Sequence, residues 1–548
     1  MKELLTALLP EIILAGAACL LFLFGIKASR TLRQVAPVVA LLALAGSILC
    51  VIYGPQANPV IAEPTGTVRL TDFALYIKLL SGVIAAILLL LQWPTNKEVT
   101  GNRSLSLGVD LPEYFALFLL SIAGIFLVAG ANDIILLFLG IELAAIPTYV
   151  MVSISRPLPV AQEAGLKYFF LGAMAAAILL FGLAYLFGTT GTLSLNEMAG
   201  QFHSAGGVVT LTTWQVLAAV MIFLGIVFKL AAFPLHFYAG DVYTGAATPL
   251  TAMLSFVPKI AGIAALVKIL YVFGGGQWLV PHNLVTLLWI MAILTMTIGN
   301  VLGLMQANIK RVMACSSIAH SGYMLAGLAV LAGAGESLYR TEALQGVMFY
   351  IAAYGVMNVG LFGVLMMLPA KPDPFAARRA CDGSGVSLGG ASVPPATTAE
   401  TFEDIAGLGR TQPVLGLAMA ACCFSLIGLP LTVGFFGKYY LIRPALEAGW
   451  YGLVIVLVLN AAVSAGYYLR IVGAMFLRTS SAQSTDGASE APCECFKTVP
   501  LVLAVAVSAL GSLALGTYLP ATSALSGAAQ RATMVDVLPP QAAQPNTP

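Results

Sequence analysis

Long apolar runs recur along the whole chain, and they constrain its fold more than any other feature. Most of these runs are close to the roughly 20 residues that a helix needs to cross a bilayer. Fourteen runs can be counted, at 4–26, 35–53, 72–93, 111–129, 132–153, 162–187, 214–246, 249–273, 284–304, 309–333, 343–369, 412–447, 450–478 and 498–519. We therefore predict an all-α polytopic membrane protein with about 14 transmembrane helices, beginning with the first run rather than with a signal peptide.

The composition excludes an ordinary soluble enzyme. Of the 548 residues, 59% are hydrophobic and 9% are charged, whereas soluble domains carry about 25% charged residues. The 26 Lys and Arg nearly balance the 24 Asp and Glu, so no basic surface indicates nucleic acid as a partner. The eight Cys are scattered, and their closest groupings lack the spacing of a zinc or iron–sulfur site. We predict neither a metal site nor a disulfide framework.

The placement of Lys and Arg predicts the orientation of the chain, because cytoplasmic loops retain basic residues. Fourteen of them fall in loops that follow odd-numbered runs, and four fall in the remaining loops and the two tails. We therefore expect a protein of the cell inner membrane with both termini on the periplasmic side.

Two runs are too long for one straight crossing and contain a proline in the middle. These are the seventh run, with Pro234, and the twelfth, with Pro430. We predict that helices 7 and 12 are discontinuous, as in transporters whose broken helices line a polar cavity; a merely kinked helix is the alternative. The stretch 370–411 is rich in Gly, Ser, Ala and Pro and predicts a flexible cytoplasmic loop. The tail after Pro520 predicts disorder.

Ionisable side chains inside the runs need a reason, because each costs at least about 2.5–3.5 kcal/mol in a bilayer. Glu142 lies nine residues after Asp133, deep in its run, and Lys259 is similarly deep. Lys229 precedes the first break and Lys438 follows the second. One carboxylate and three amines at similar depth predict a row of proton-transfer sites. Ion pairing for structure alone is the alternative.

Three more residues are candidates for the same row. His236 and His320 have side chains that titrate near neutrality and could pass protons between lysines, although a buried His is also a common hydrogen-bonded core residue. Lys167, near the cytoplasmic end of its run, fits either snorkelling or proton uptake. The other basic residues inside the runs are expected to snorkel or to pair locally: Lys78, Lys268, Arg443 and Arg470.

Several segments resemble the antiporter-like membrane subunits of respiratory complex I. They are GLKYFFLGAMAAAILLFG, FKLAAFPLHFYAGDVYTGAATPLTAMLSFVPKIAG, NIKRVMACSSIAHSGYML, ETFEDIAGLGRTQP and GLPLTVGFFGKYYLI. The resemblance covers about residues 4–519 and is greatest to the branch of the family that contains subunit N. A lysine at 438 argues against the subunit M branch, which carries glutamate there.

The resemblance implies a domain organisation. An N-terminal three-helix segment would cover 1–110. Two inverted five-helix repeats would cover 111–273 and 274–478, the second including the loop 370–411. Helix 14 and a periplasmic tail would follow at 479–548.

The resemblance also implies a function, namely proton translocation driven by quinone reduction elsewhere in an NADH:quinone oxidoreductase. The family's key residues fall on Glu142, Lys229, Lys259 and Lys438, and Lys167 matches a further lysine. No cofactor is expected in this chain, because NADH, FMN, iron–sulfur clusters and quinone would be bound by other subunits. The expected partners are the bilayer, subunit M and the small subunits K and J. Two alternatives stay open: a subunit of a multisubunit cation/proton antiporter, and a scaffold whose buried charges only hold helices together.

Overall fold

The computed structural model describes residues 2–27, 30–54, 66–93, 110–156, 158–202, 210–368, 399–478 and 498–534. Within these ranges the chain is almost entirely helical, with three isolated bridges and no β-strand. The prediction of an all-α protein is confirmed.

The described residues form twenty helices. They are α1 (Lys2–Ala7), α2 (Leu9–Ile26), α3 (Arg30–Tyr53), α4 (Asp72–Leu91), α5 (Leu111–Gly130), α6 (Ile134–Ile154), α7 (Pro159–Thr190), α8 (Leu195–Gln201), α9 (Thr213–Lys229), α10 (Tyr238–Gly245), α11 (Thr248–Phe273), α12 (His282–Met305), α13 (Ile309–Gly333), α14 (Ser337–Met367), α15 (Leu408–Thr411), α16 (Pro413–Ile427), α17 (Val433–Glu447), α18 (Tyr451–Phe476), α19 (Val499–Thr517) and α20 (Leu519–Met534). Twelve of these described helices are long and apolar enough to cross a membrane. The total of fourteen crossings stays a prediction.

The two predicted breaks are present. One separates α9 from α10 around Pro234, and the other separates α16 from α17 around Pro430. Proline ends a helix because it has no N–H to donate and its ring clashes with the preceding turn. Each break also contains a residue other than glycine in the left-handed region, Ala231 at φ 52° and Leu431 at φ 71°, a costly conformation that the surrounding packing must hold. The discontinuity of helices 7 and 12 is confirmed.

The centre of the molecule is formed by α11, α13 and α14. Every residue of α11 is buried, and so are almost all residues of α13. Their buried residues lie on all sides of each helix, as expected of helices enclosed by other helices. The outer helices instead turn large apolar side chains outward, such as Phe170 and Phe181 on α7. The central helices carry Lys259, on α11, and His320, on α13.

Two predictions about polar segments are corrected. The tail after Pro520 is not disordered over its first part, because α20 packs against α4 and α14, and Gln345 donates to Ser526 Oγ at 2.8 Å. The predicted flexible loop is ordered at its end, where residues 399–411 are folded and Phe402 and Ile405 are buried. The rest of that loop, 370–398, and the tail beyond 534 lie outside the described residues.

Candidate functional site

The row of buried charges begins with an ion pair between α6 and α9. Lys229 Nζ lies 2.9 Å from Glu142 Oε1 and 3.1 Å from the Tyr149 hydroxyl. Glu142 and Tyr149 are seven residues apart on α6, about two turns, so they share one face of the helix. The Lys229 side chain is 3% exposed and that of Glu142 is 12% exposed. Since Lys229 is the last residue of α9, the pair sits at the edge of the first break.

A cavity connects Lys229 with Lys259. Both lysines line it, together with the aromatic residues Tyr168, Tyr238 and Tyr243. Tyrosine hydroxyls and lysine amines give the cavity hydrogen-bonding groups, which is what a buried water requires. The two lysines therefore line one small cavity rather than separate pockets.

Lys259 is held by a different kind of environment from Lys229. Its Nζ donates to the carbonyl of Ser317 on α13 and lies 3.4 Å from the hydroxyl of Tyr354 on α14. Tyr354 donates to Ser317 Oγ at 3.1 Å, and the Tyr243 hydroxyl lies 3.0 Å from the same atom. No carboxylate among the described residues lies within 4.0 Å of Lys259. Hydroxyls and a carbonyl therefore replace the carboxylate that Lys229 has.

His320 continues the row on α13. It is buried, with Nδ1 2.6 Å from the Tyr350 hydroxyl and Nε2 3.2 Å from the Tyr468 hydroxyl. The imidazole ring lies 5.0 Å from the ring of Tyr354, which contacts Lys259. An imidazole with both nitrogens in hydrogen-bond contact can take a proton at one nitrogen and release it at the other.

Lys438 ends the row at the second break. Its Nζ donates to the carbonyls of Leu426 at 3.2 Å and Ile427 at 2.7 Å, which are the last two residues of α16. The last carbonyls of a helix lack partners within the helix and favour a cation, so the break itself provides the site for this lysine. The amine also lies 5.0 Å from the centre of the Tyr323 ring, and that ring contacts the ring of His320 at 5.6 Å.

Two predicted candidates lie outside these contacts. The Lys167 side chain is 46% exposed and forms ion pairs with Glu163 at 2.8 Å and Asp241 at 3.0 Å. His236 lies in the first break with its ring 4.5 Å from that of Phe237. In the part of the chain that the structure describes, neither side chain forms a hydrogen bond with the row.

Lys78 and Lys268 do not snorkel. Lys78 is fully buried and pairs with Glu11 at 2.7 Å. Lys268 is buried and donates to the carbonyls of Ala129 at 2.6 Å and Ala131 at 2.5 Å, at the end of α5. The prediction of snorkelling is wrong for both because neighbouring helices enclose α4 and α11 and supply the partners. Local pairing, the other expectation for Lys78, is what the structure shows.

Three further basic residues lie on α13, α17 and α18. Arg443 pairs with Glu447, one turn along the same helix, at 2.9 Å, which is the predicted local pairing. Arg470 instead donates to the carbonyl of Gln306, on a distant segment of the chain, at 3.0 Å. Lys310 is completely buried at the start of α13.

The sequence analysis missed the tyrosines of the site. Five of them bring hydroxyls to the lysines or to His320 and Ser317: Tyr149, Tyr243, Tyr350, Tyr354 and Tyr468. A usable signal existed, because a tyrosine in a hydrocarbon environment needs a partner for its hydroxyl. The described residues contain no group of three or more His, Cys, Asp or Glu side chains that could hold a metal ion.

The fold and the site define a polytopic membrane protein whose interior holds a connected row of ionisable groups, the class of protein that moves protons or cations across a bilayer. Residues 131–464 match the family described as NADH:quinone oxidoreductase/Mrp antiporter, transmembrane. The chain belongs to this family, and the matched region contains Glu142, Lys229, Lys259, His320 and Lys438.

Relatives and solved structures agree with this assignment. The chain is 34% identical to NADH-quinone oxidoreductase subunit N of Trichlorobacter lovleyi, with 93% of each chain covered. It is 36% identical to subunit N of Myxococcus xanthus over 86% of this chain and 88% of that one. A chain of respiratory complex I from Thermus thermophilus superposes with a TM-score of 0.70 at 26% identity, covering 93% and 97%. A chain of the Mrp complex from Dietzia sp. DQ12-45-1b shares the fold, with a TM-score of 0.74 at 20% identity and 97% of each chain covered.

Proposed function

We propose that the chain is the proton-translocating, antiporter-like membrane subunit of an NADH-quinone oxidoreductase, with proton transfer through Glu142, Lys229, Lys259, His320 and Lys438. The observation that carries the proposal is the connected row itself. Lys229, the amine of the first pair, shares a cavity with Lys259, and ring contacts join Lys259 through His320 to Lys438. The row lies in a chain that is 34% identical to a subunit N over almost its whole length.

The chemistry of the row follows from its unequal partners. The Glu142 carboxylate stabilises the charged form of Lys229, whereas Lys259 has only hydroxyls and a carbonyl in contact. In a low-dielectric interior, moving a carboxylate toward or away from an amine strongly changes the free energy of holding a proton on that amine. A change in the Glu142–Lys229 distance can therefore shift a proton toward the cavity and Lys259, and Tyr354 and His320 lie on the way to Lys438.

The reaction of the whole assembly supplies the driving energy. We assign the binding of NADH, FMN, iron–sulfur clusters and quinone to other subunits, so this chain contributes proton transfer and no redox step. The proposed neighbours are subunit M and the small subunits K and J, in the cell inner membrane with both termini periplasmic. Two inverted five-helix repeats, 111–273 and 274–478, would place the breaks of α9–α10 and α16–α17 in corresponding positions. Proton uptake at Lys167 and a relay role for His236 stay predictions that this row does not require.

A subunit of a multisubunit cation/proton antiporter is the second candidate, favoured by the fold shared with the Mrp chain. The identities of 34% and 36% to subunits N over most of the chain favour the first candidate. Purification separates them, because a complex I subunit copurifies with subunits that carry flavin and iron–sulfur clusters.

The test of the proposed function is quinone-coupled proton pumping in membranes that carry Glu142→Ala or Lys229→Ala, with the amount of assembled complex measured on the same sample. Assembled complex with lost pumping and turnover is the expected result. Normal pumping in both variants would leave the buried charges as a scaffold and remove the proposal.

A further inference from the structure

A second buried charge cluster lies away from the proton-transfer row, where three helix ends meet. Its centre is Glu400, in the folded end of the loop before α15. Glu400 Oε1 accepts from Arg156 Nη2 at 2.7 Å and from Lys310 Nζ at 3.1 Å. The Glu400 side chain is 15% exposed, that of Arg156 is 11% exposed and that of Lys310 is not exposed at all. One carboxylate therefore joins two cations in a mostly dry environment.

The backbone fixes the position of the Glu400 side chain. The N–H groups of Glu400 and Thr401 both donate to Asp404 Oδ2, at 3.0 and 2.8 Å. The Glu400 carbonyl accepts from the N–H of Ile309, the first residue of α13, at 2.8 Å. A turn held by these bonds leaves the carboxylate little freedom, so it serves as a rigid attachment point for the two cations.

The two cations hold segments that lead directly into the proton-transfer row. Arg156 follows the end of α6, the helix that carries Glu142. Lys310 is in the first turn of α13, two helical turns before Ser317, whose carbonyl accepts from Lys259. Glu400 therefore links a segment from the first half of the chain, at Arg156, with a segment from the second half, at Lys310.

Lys310 also holds the short helix α10. Its Nζ donates to the carbonyl of Ala246, the residue that caps α10, at 2.7 Å. The neighbouring Arg311 binds Asp241 on α10 at 2.5 Å. Because α10 is separated from α9 by the first break, it depends on such side-chain contacts for its position. It carries Tyr238 and Tyr243, which line the cavity between Lys229 and Lys259.

The charge state of Glu400 fits this arrangement. Burial acts to raise the pKa of Glu400, but the charges of Lys310 and Arg156 outweigh burial and hold this pKa below its usual range. The carboxylate is therefore charged at neutral pH and compensates Lys310, which would otherwise be an uncompensated buried cation.

We propose that Glu400 is a positioning residue for proton transfer: through Lys310 it holds α10 in the place that brings Tyr243 to Ser317 and closes the cavity between Lys229 and Lys259. The inference rests on the proposed function for its effect on pumping, whereas its structural part does not. Glu400 itself carries no proton along the row, since its carboxylate binds Arg156 and Lys310 and no residue of the row among the described contacts.

The test measures the position of α10 and the activity in the same assembled complex. In Glu400→Gln, amide hydrogen exchange across residues 238–247 should become faster, because Lys310 loses its counter-charge and its hold on Ala246. Quinone-coupled turnover should fall by roughly tenfold, as expected for a displaced catalytic group, while the quinone KM stays unchanged. Glu400→Asp, which keeps the charge, should restore part of the turnover.

The matched control is Glu403→Gln, which removes the same charge from an exposed residue of the same turn that has no ion pair among the described residues. Exchange or turnover in Glu400→Gln equal to that of Glu403→Gln would overturn the proposal. If Glu400→Gln does not assemble, the double variant Glu400→Gln, Lys310→Met also removes the uncompensated cation. Unchanged amide hydrogen exchange over residues 238–247 in the double variant would then overturn the proposal. Lys259→Met, measured in parallel, reports on the proposed function alone, because normal pumping there contradicts the function whatever α10 does.

Discussion

Lys229 and Lys259 line the same cavity, but their partners differ. The Lys229 amine is 2.9 Å from the Glu142 carboxylate, whereas the Lys259 amine contacts a carbonyl of Ser317 and the hydroxyl of Tyr354. Among the described residues, the partner of Lys229 is a carboxylate, whereas the partners of Lys259 are dipolar groups. This difference lets a movement of one carboxylate change how a proton is shared between the two lysines.

Replacement of Glu142 by Gln removes the charge but keeps the size of the side chain. We expect quinone-coupled pumping to fall by roughly 100-fold, within the range known for loss of a proton-transferring group, while the complex still assembles. Pumping is measured in membrane vesicles, and assembly on a native gel of the same sample. Glu163→Gln, at an exposed carboxylate on α7, is the control and should pump normally. Equal activity in the two variants would contradict a role for the Glu142 charge.

Lys259→Met tests whether a lysine is essential for pumping because of its position in the row or simply because it is buried. Methionine keeps the length and apolar stem but carries no proton, so we expect an assembled complex that has lost pumping. Lys268→Met is the matched control, because Lys268 is a buried lysine on the same helix, nine residues away and outside the row. We expect Lys268→Met to pump at a rate near that of the unaltered protein. Loss of pumping in both variants, or in neither, would count against the proposed row.

Tyr354→Phe removes one hydroxyl that contacts both Lys259 and Ser317. The loss of a hydrogen bond of about 1 kcal/mol in the transfer step predicts a turnover lower by roughly fivefold, with normal assembly. Tyr439→Phe, at an exposed tyrosine on α17, should leave the rate unchanged. A Tyr354→Phe variant as active as Tyr439→Phe would show that protons pass Lys259 without this hydroxyl.

The two helix breaks and the buried charges could be predicted from the sequence because both are exceptions to strong rules of helix and membrane chemistry. A proline in a long apolar run cannot continue a helix, and a lysine or glutamate in hydrocarbon needs a compensating role. Pro234, Pro430, Glu142 and Lys259 could therefore be found without coordinates. The partners of Lys259 could not, because Ser317 and Tyr354 lie on two other helices and nothing in their local sequence differs from ordinary packing.

Other features depend on tertiary contacts between distant segments, which the sequence of one apolar run does not predict. Lys78 and Lys310 lie near the ends of their helices, where depth alone favours snorkelling, and their burial follows from Glu11 and Glu400 on distant segments. Glu400 itself follows a Gly-, Ser- and Pro-rich stretch whose composition predicts a flexible loop rather than a buried ion pair. The helix α20 was missed for a similar reason, since it is stabilised by packing against α4 and α14 rather than by strong hydrophobicity.

Lys167→Met separates the two interpretations of this lysine, which the sequence left open. Lys167 is half exposed and pairs with Glu163 and Asp241 at the surface, where water and salt screen such pairs so that their loss costs little. We expect pumping within roughly twofold of that of the unaltered protein. Pumping rates of Lys167→Met and of the exposed control Lys27→Met in matched vesicles check this. A large loss specific to Lys167→Met would instead support proton uptake at this site.

The pH dependence of stability tests the charge of Glu400. Its pKa lies below the ordinary value of 4.5 in the folded protein, so its ion pairs contribute stability above the pKa of the unfolded chain and lose it as the pH falls through the folded pKa. The charged groups in contact with it are Arg156, Lys310 and, through the turn, Asp404.

We therefore expect Glu400→Gln to lower the free energy of unfolding by about 2 kcal/mol, the size of hydrogen bonds to a charged group. The difference from the unaltered protein should stay constant between pH 7 and pH 5 and shrink below pH 4.5, as the Glu400 carboxylate is protonated. Thermal unfolding of the detergent-solubilised complex across this range measures it. A difference that already disappears between pH 7 and pH 5 would show that the Glu400 pKa is raised rather than lowered, and that burial outweighs Lys310 and Arg156.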